Sequence, residues 1–132
     1  MAMDPGFRDH VADLLAPMGP VAIKPMFGGG GVYLHGSMFG LIVGDRLYFK
    51  VDDQTEGQFM LAGSQPFVFQ MKDGKSTSMR YWHLPDQAQD DAVEALIWAR
   101  LGLEAALRAA QAKGGKRQKP PKLLIDGPWD ED

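Results

Sequence analysis

Four consecutive glycines, Gly28 to Gly31, lie between Pro25-Met26-Phe27 and Val32-Tyr33, and no other stretch restricts the fold of this chain as much. Glycine reaches positive φ at no steric cost, so such a run marks a sharp backbone feature. The residues after it alternate as a strand does. A second Met-Phe-Gly triplet follows twelve residues after the first, in Gly36-Ser37-Met38-Phe39-Gly40-Leu41-Ile42. The run lacks the Gly-Lys-Ser/Thr ending of a phosphate loop, and a strand pattern stands where such a loop needs a helix. It therefore reads as a bulged or sharply turned strand.

The flanking elements follow from pattern. Asp4-Pro5 is a helix start, and Phe7, Val11, Leu14, Leu15 and Met18 form one apolar helical face. Pro17 and Gly19-Pro20 stop it. Strands are expected over Val21 to Phe27, Val32 to His35 and Met38 to Val43, with Gly36-Ser37 as a turn. Gly44-Asp45 is a II′-type hairpin turn into Leu47 to Val51, where Leu47, Phe49 and Val51 share a face. Phe59, Met60 and Leu61 suggest a short helix ended by Gly63. Pro66 to Met71 and Ser76 to Leu84 flank an Asp73-Gly74 hairpin. After Pro85, Asp86 with Gln89 reads as a capping box. A long helix then carries a stripe of Ala92, Val93, Leu96, Ile97, Leu103, Ala106, Leu107 and Ala110, ended by Gly114-Gly115. The expected class is α+β: a mostly antiparallel sheet of about six strands with an N-terminal helix and a longer C-terminal one. Residues 1–112 form the domain, and 113–132 read as a flexible tail, basic and then acidic.

Charge and composition narrow the function. The 132 residues carry a net charge of −3, and residues 113–122 hold five of the fourteen basic groups: Lys113, Lys116, Arg117, Lys119 and Lys122. Without 113–132 the chain has nine basic and thirteen acidic groups, a mildly acidic body. That body is not built to hold nucleic acid. The chain has no cysteine, which excludes disulfides, thiolate metal sites and cysteine nucleophiles. No signal-peptide region or membrane-length apolar run is present, so a soluble cytoplasmic protein is expected.

Catalytic patterns are missing. His10, His35 and His83 are far apart and fit no close ligand spacing, so no metal or cofactor is expected. Asp52-Asp53 and Asp90-Asp91 stand where strands end or helices begin and read as caps and turns. Ser37, Ser64, Ser76 and Ser78 lie in turns or at strand edges, outside any Gly-x-Ser-x-Gly elbow. Tyr33, Tyr48, Tyr81 and Trp82 with Arg80 and Lys50 are arranged as a base-stacking sheet surface would be. Alternation equally places half of them in the core.

Met26-Phe27-Gly28-Gly29, Gly31-Val32-Tyr33, Met38-Phe39-Gly40-Leu41-Ile42 and Leu47-Tyr48-Phe49-Lys50-Val51-Asp52 occur in order. Gly63 to Pro66-Phe67, Met79-Arg80-Tyr81-Trp82, Leu84-Pro85, Trp98-Ala99 and Ala105-Ala106 follow. Over residues 7–112 the chain resembles the N-terminal domain of the TfoX (Sxy) competence regulators. The resemblance implies an α+β domain without catalysis. It also implies a place beside the transcription machinery or a cyclic-AMP receptor-type regulator. Those regulators commonly carry a second, C-terminal helical domain. Here about 20 residues follow the last helix, as in a stand-alone copy.

The expected role is a non-enzymatic protein-interaction module with a surface around Met26, Phe27, Met38, Phe39, Tyr48, Arg80 and Trp82. On that reading Phe39→Asp abolishes association and leaves the helical signal intact. A homodimer formed through an uncapped sheet edge is a further route. Two alternatives stand beside it. One is nucleic-acid binding through the basic tail, with Lys113, Lys116, Arg117, Lys119 and Lys122 on phosphates, and the Arg80/Trp82 face. The other is a small-ligand site between the sheet and the last helix, which a pKa-shifted His83 beside a cavity would favour.

Overall fold

A computed structural model describes residues 4–26, 29–70 and 76–112, without the side chains of 69, 70 and 76–79. Three helices, α1 (Pro5–Leu15), α2 (Glu56–Leu61) and α3 (Ala92–Ala112), accompany six strands. These are β1 (Val21–Met26), β2 (Gly29–Leu34), β3 (Ser37–Val43), β4 (Arg46–Lys50), β5 (Pro66–Gln70) and β6 (Ser76–His83). One antiparallel sheet has the order β1-β2-β3-β4-β6-β5, so the fold is α+β. The expected 113–132 tail, Phe27 and the Asp73-Gly74 hairpin lie outside the described residues.

The local signals act as their chemistry demands. Asp4 caps α1, its Oδ2 accepting the Phe7 N–H at 2.9 Å, with Pro5 in the first turn. Asp91 caps α3, its Oδ1 accepting the Val93 and Glu94 N–H groups at 3.1 Å each. The expected start of that helix at Asp86 is corrected: Asp86–Ala88 is a separate 3-10 turn. The expected Gly36-Ser37 turn moves back by one residue. His35 and Gly36 hold φ of 51° and 85°, the two positive values a I′ hairpin needs, and Ser37 already pairs with Leu34.

The glycine run also has a different cause from a turn. Gly29 to Gly31 sit in regular β2 pairing, and none has positive φ. A Cβ at Gly29 would collide with the Ile42 carbonyl oxygen, so the residue permits close approach of β2 and β3. The irregularity lies downstream. Val32 pairs with Gly40 and Tyr33 with Met38, which leaves Phe39 as the extra residue of a β-bulge.

That bulge directs Phe39 into the main core, between the sheet and the helices, with Val32, Ile42, Leu47, Phe49, Val51 and Trp82. Val11, Leu14 and Leu15 of α1, Phe59 of α2 and Trp98 of α3 close it from the other side. Phe39 stacks on Phe49 with centroids 6.2 Å apart, and Phe59 meets Trp98 edge-on at 4.7 Å. The opposite sheet face buries Met38, Leu41, Tyr48 and Tyr81 as a second, smaller cluster flanked by Met26, Tyr33, Val43 and Phe67.

The face α3 turns inward matches its expected stripe only in part: Ala106 is buried and Leu96 and Leu103 pack against the core, but the rest of the stripe is displaced. Ala95, Trp98, Ala99, Gly102, Ala105 and Ala106 are buried, while Val93, Ile97 and Leu107 are exposed. The helix is rotated by roughly a third of a turn from the reading by hydrophobicity, at about 100° per residue. Close packing explains it. A Cβ on Gly102 would stand 3.0 Å from Phe49 Cβ and 3.1 Å from the Phe39 carbonyl oxygen. The sheet's aromatics already fill the space where Gly102 and its alanine neighbours face them, so small residues stand at the closest approach while Trp98, Leu96, Leu101 and Leu103 pack around it.

Candidate functional site

The expected aromatic surface does not assemble. Phe39 is fully buried, and Trp82 is buried in the same core. Met38 and Tyr48 are buried in the second cluster, on the other side of the sheet, with Met26 packed at its margin. Arg80 is exposed and engaged, its guanidinium 3.1 Å from both the Asp53 and Glu56 carboxylates. The base-stacking arrangement divides in the same way. Tyr81 is fully buried, and burial, with Tyr33 nearby, pushes its phenol well above the usual range. Lys24 and Lys50 lie over the Tyr33 and Tyr81 rings at 5.0 and 5.5 Å. Alternation along β4 and β6 places Tyr48, Tyr81 and Trp82, and burial takes those rings out of reach of a partner, while Tyr33 on β2 is half-buried. Lys113, Lys116, Arg117, Lys119 and Lys122 lie outside the described residues.

A polar cleft of about 450 Å³ opens at one end of the sheet. Asp45, Arg46, Tyr48, Ser64, His83 and Gln89 line it. The expectation placed a pocket between the sheet and the last helix, but no residue of α3 lines this cleft. Its frame is the Gly44-Asp45 turn, the chain after α2 and the turn before α3. Tyr48 and His83 are register partners on β4 and β6, with rings 5.4 Å apart. The Gln89 amide donates to the Leu84 carbonyl at 3.2 Å and lies 3.3 Å from His83 Nε2. With the amide donating, the neutral imidazole carries its proton on Nδ1. Burial first and the Arg46 charge second hold His83 below its usual 6.5, with Asp86 and Asp45 opposing. Ser64 Oγ donates to the His83 carbonyl oxygen, so that hydroxyl is not set against the imidazole as a nucleophile. The cleft offers hydrogen bonds and both signs of charge, which suits a small polar ligand.

A longer contact crosses the molecule on its opposite side. Arg108 of α3 grips Asp52, which follows β4, with Nε and Nη2 at 2.6 and 3.0 Å from the two carboxylate oxygens. The guanidinium holds the Asp52 carboxyl below its usual 3.8. Asp52 also accepts the Gln54 N–H, so the expected turn role is present and the ion pair is added to it. Fifty-six residues separate the partners, and no sequence spacing joins them. Among the described residues no group of three His, Asp or Glu side chains is placed to hold a metal ion. No described helix is long and apolar enough to cross a membrane.

The remaining feature is the outer face of α3. Val93, Ile97 and Leu107 are 74%, 48% and 46% exposed, and the exposed Arg100, Glu104 and Gln111 complete one ridge. Hydrophobicity alone assigned the three apolar residues to the core. The spacing of the six ridge residues, four, three, four, three and four, was the available signal for a separate helical seam. The family model for the TfoX N-terminal domain matches residues 13–106. No curated protein matches the chain.

Proposed function

The chain belongs to the TfoX N-terminal domain family, and on that premise we propose that it is a non-enzymatic protein-interaction module acting beside the transcription machinery. The observation that carries this reading is the apolar ridge of Val93, Ile97 and Leu107 left outside both cores. Exposed apolar residues aligned on one helix face mark a contact surface. The working surface is thus moved from the Phe39 region to α3. The test is capture of purified RNA polymerase or a cyclic-AMP receptor-type regulator by the tagged full chain. Capture by wild type and its loss in Ile97→Asp support the reading. Capture indifferent to Ile97→Asp, or none at all, overturns it.

The polar cleft favours a second reading, binding of a small zwitterion such as a free amino acid. Arg46 and the Asp45 and Asp86 carboxylates present both charges around His83. Free amino acids should then raise the melting temperature of wild type and not of Arg46→Ala. Equal responses in the two proteins would remove this reading.

A further inference from the structure

The ridge on α3 has a two-fold pattern. Val93, Ile97, Arg100, Glu104, Leu107 and Gln111 alternate in steps of four and three, the repeat that keeps one seam of a helix facing a neighbouring helix. At about 100° per residue all six fall within roughly 80° of arc. The centre of the ridge is a cation and an anion, flanked by Ile97 and Val93 on one side and by Leu107 and Gln111 on the other. About a point level with Gly102, Arg100 is mirrored by Glu104, Ile97 by Leu107 and Val93 by Gln111. A helix with that symmetry is complementary to itself when a second copy runs antiparallel to it.

We propose that the outer face of α3 pairs with the same face of a second copy of this chain, antiparallel about a two-fold axis level with Gly102. In that pairing Arg100 of each copy meets Glu104 of the other, twice. Ile97 of each meets Leu107 of the other in the layers on either side. Arg100 and Glu104 form no ion pair within the chain among the described residues, and Glu104 acts on Arg108 only through its field, so neither is held by a close ion pair. One apolar layer on each side, Ile97 against Leu107, supplies burial, with Val93 against Gln111 beyond it, and the central charged layers fix register and orientation, as polar seam positions do in coiled coils. Contact is isologous, as closed dimers require.

The sheet edge is a weaker route. Edge strand β1 carries Lys24 and Pro25 and edge strand β5 begins at Pro66, all of which hinder strand addition.

The inference rests on the reading of α3 as a contact surface; a second copy and a regulator compete for that one ridge, so regulator capture is read at chain concentrations below those at which the dimer forms. The test is sedimentation of the full chain over a concentration series, with Arg100→Glu, Glu104→Arg, the double exchange, and an equimolar mixture of the two single variants. Wild type should reach twice the 14.5 kDa chain mass. Each single variant should stay monomeric, because like charges then meet twice. The double exchange should restore the dimer, and so should the mixture, in which every central contact is again opposite in sign. All of these residues are exposed, so circular dichroism should be unchanged.

A wild type that stays monomeric overturns the proposal, as it must if residues 113–132 fold back over the ridge. A dimer indifferent to charge reversal also overturns it. Loss of regulator capture in Ile97→Asp alongside a monomeric wild type would leave the contact-surface reading standing and sink self-association alone.

Discussion

The inner face of α3 is built mainly of small residues, while three of its large apolar residues lie on the outer face beside Arg100, Glu104 and Gln111. The inner face buries Ala95, Ala99, Gly102, Ala105 and Ala106 around one large residue, Trp98, while Val93, Ile97 and Leu107 stay outside. Hydrophobicity ranks side chains by what they gain on leaving water. Packing ranks them by the space they need, and here space decides. Phe39, Phe49 and Trp82 rise from the sheet into the interlayer region, so the helix facing them must be smooth. The bulge that turns Phe39 inward belongs to the same arrangement, since that aromatic and Gly102 occupy adjoining space. A helix placed by small residues has its larger apolar ones left over, and this is how an interaction ridge arises without weakening the core.

The contrast can be broken by substitution. Phe39→Asp should have the largest effect, because it removes a fully buried ring and leaves a carboxylate without a partner. A loss above about 4 kcal/mol and no cooperative melt by circular dichroism are expected. This reverses the expectation from sequence that the helical signal would survive, and retention of a normal melt would show that Phe39 is not core.

Gly102→Leu comes next. Its side chain must displace the Phe39 backbone or Phe49, at a cost of about 3 kcal/mol read from denaturant unfolding. Ile97→Leu or Ile97→Asp on the outer face should change stability by less than about 0.5 kcal/mol in the monomer. If Ile97→Asp costs as much as Gly102→Leu, the two faces are not different in kind.

Arg108→Ala probes the flank between them and should cost about 1 kcal/mol near neutral pH. Asp52 titrates below its unfolded 3.8, so the stabilisation is complete above that value and is lost as pH falls through the lower folded value. The gap in melting temperature between Arg108→Ala and wild type should therefore close in strong acid. A constant gap would mean that Arg108 acts by packing alone.

The smallest effect is at His83. Its folded pKa lies below 6.5, so the unfolded chain binds the extra proton first as pH falls. Stability is complete above that value and declines as pH drops from 6.5 toward the folded value. His83→Asn should flatten this part of the profile, and an unchanged slope would place the titration elsewhere.

Much of the fold was legible. Asp4-Pro5 sets the start of α1, and the Gly44-Asp45 hairpin joins β3 to β4. Leu47, Phe49 and Val51 alternate against Tyr48 as their period demands. These depend on neighbours a few residues away. The candidate sites were far less legible. His83 was singled out, but its cleft companions Arg46, Ser64 and Gln89 come from separate turns that meet only in three dimensions. Asp52 was read as a turn residue without its distant partner Arg108. Phe39 was read as surface from its place in a Met-rich, aromatic segment, and no local pattern shows that both faces of the sheet are covered.

The sequence by itself determined the element types, their caps, most of their turns and the family to which the chain belongs, since each is encoded in short-range sterics or in ordered motifs. Tertiary structure alone decided that β6 lies between β4 and β5, and that Arg108 meets Asp52. It also decided which side of α3 is buried. Those outcomes depend on which volumes and charges fit across an interlayer space that no one segment defines, and periodicity carries no information about the shape on the other side.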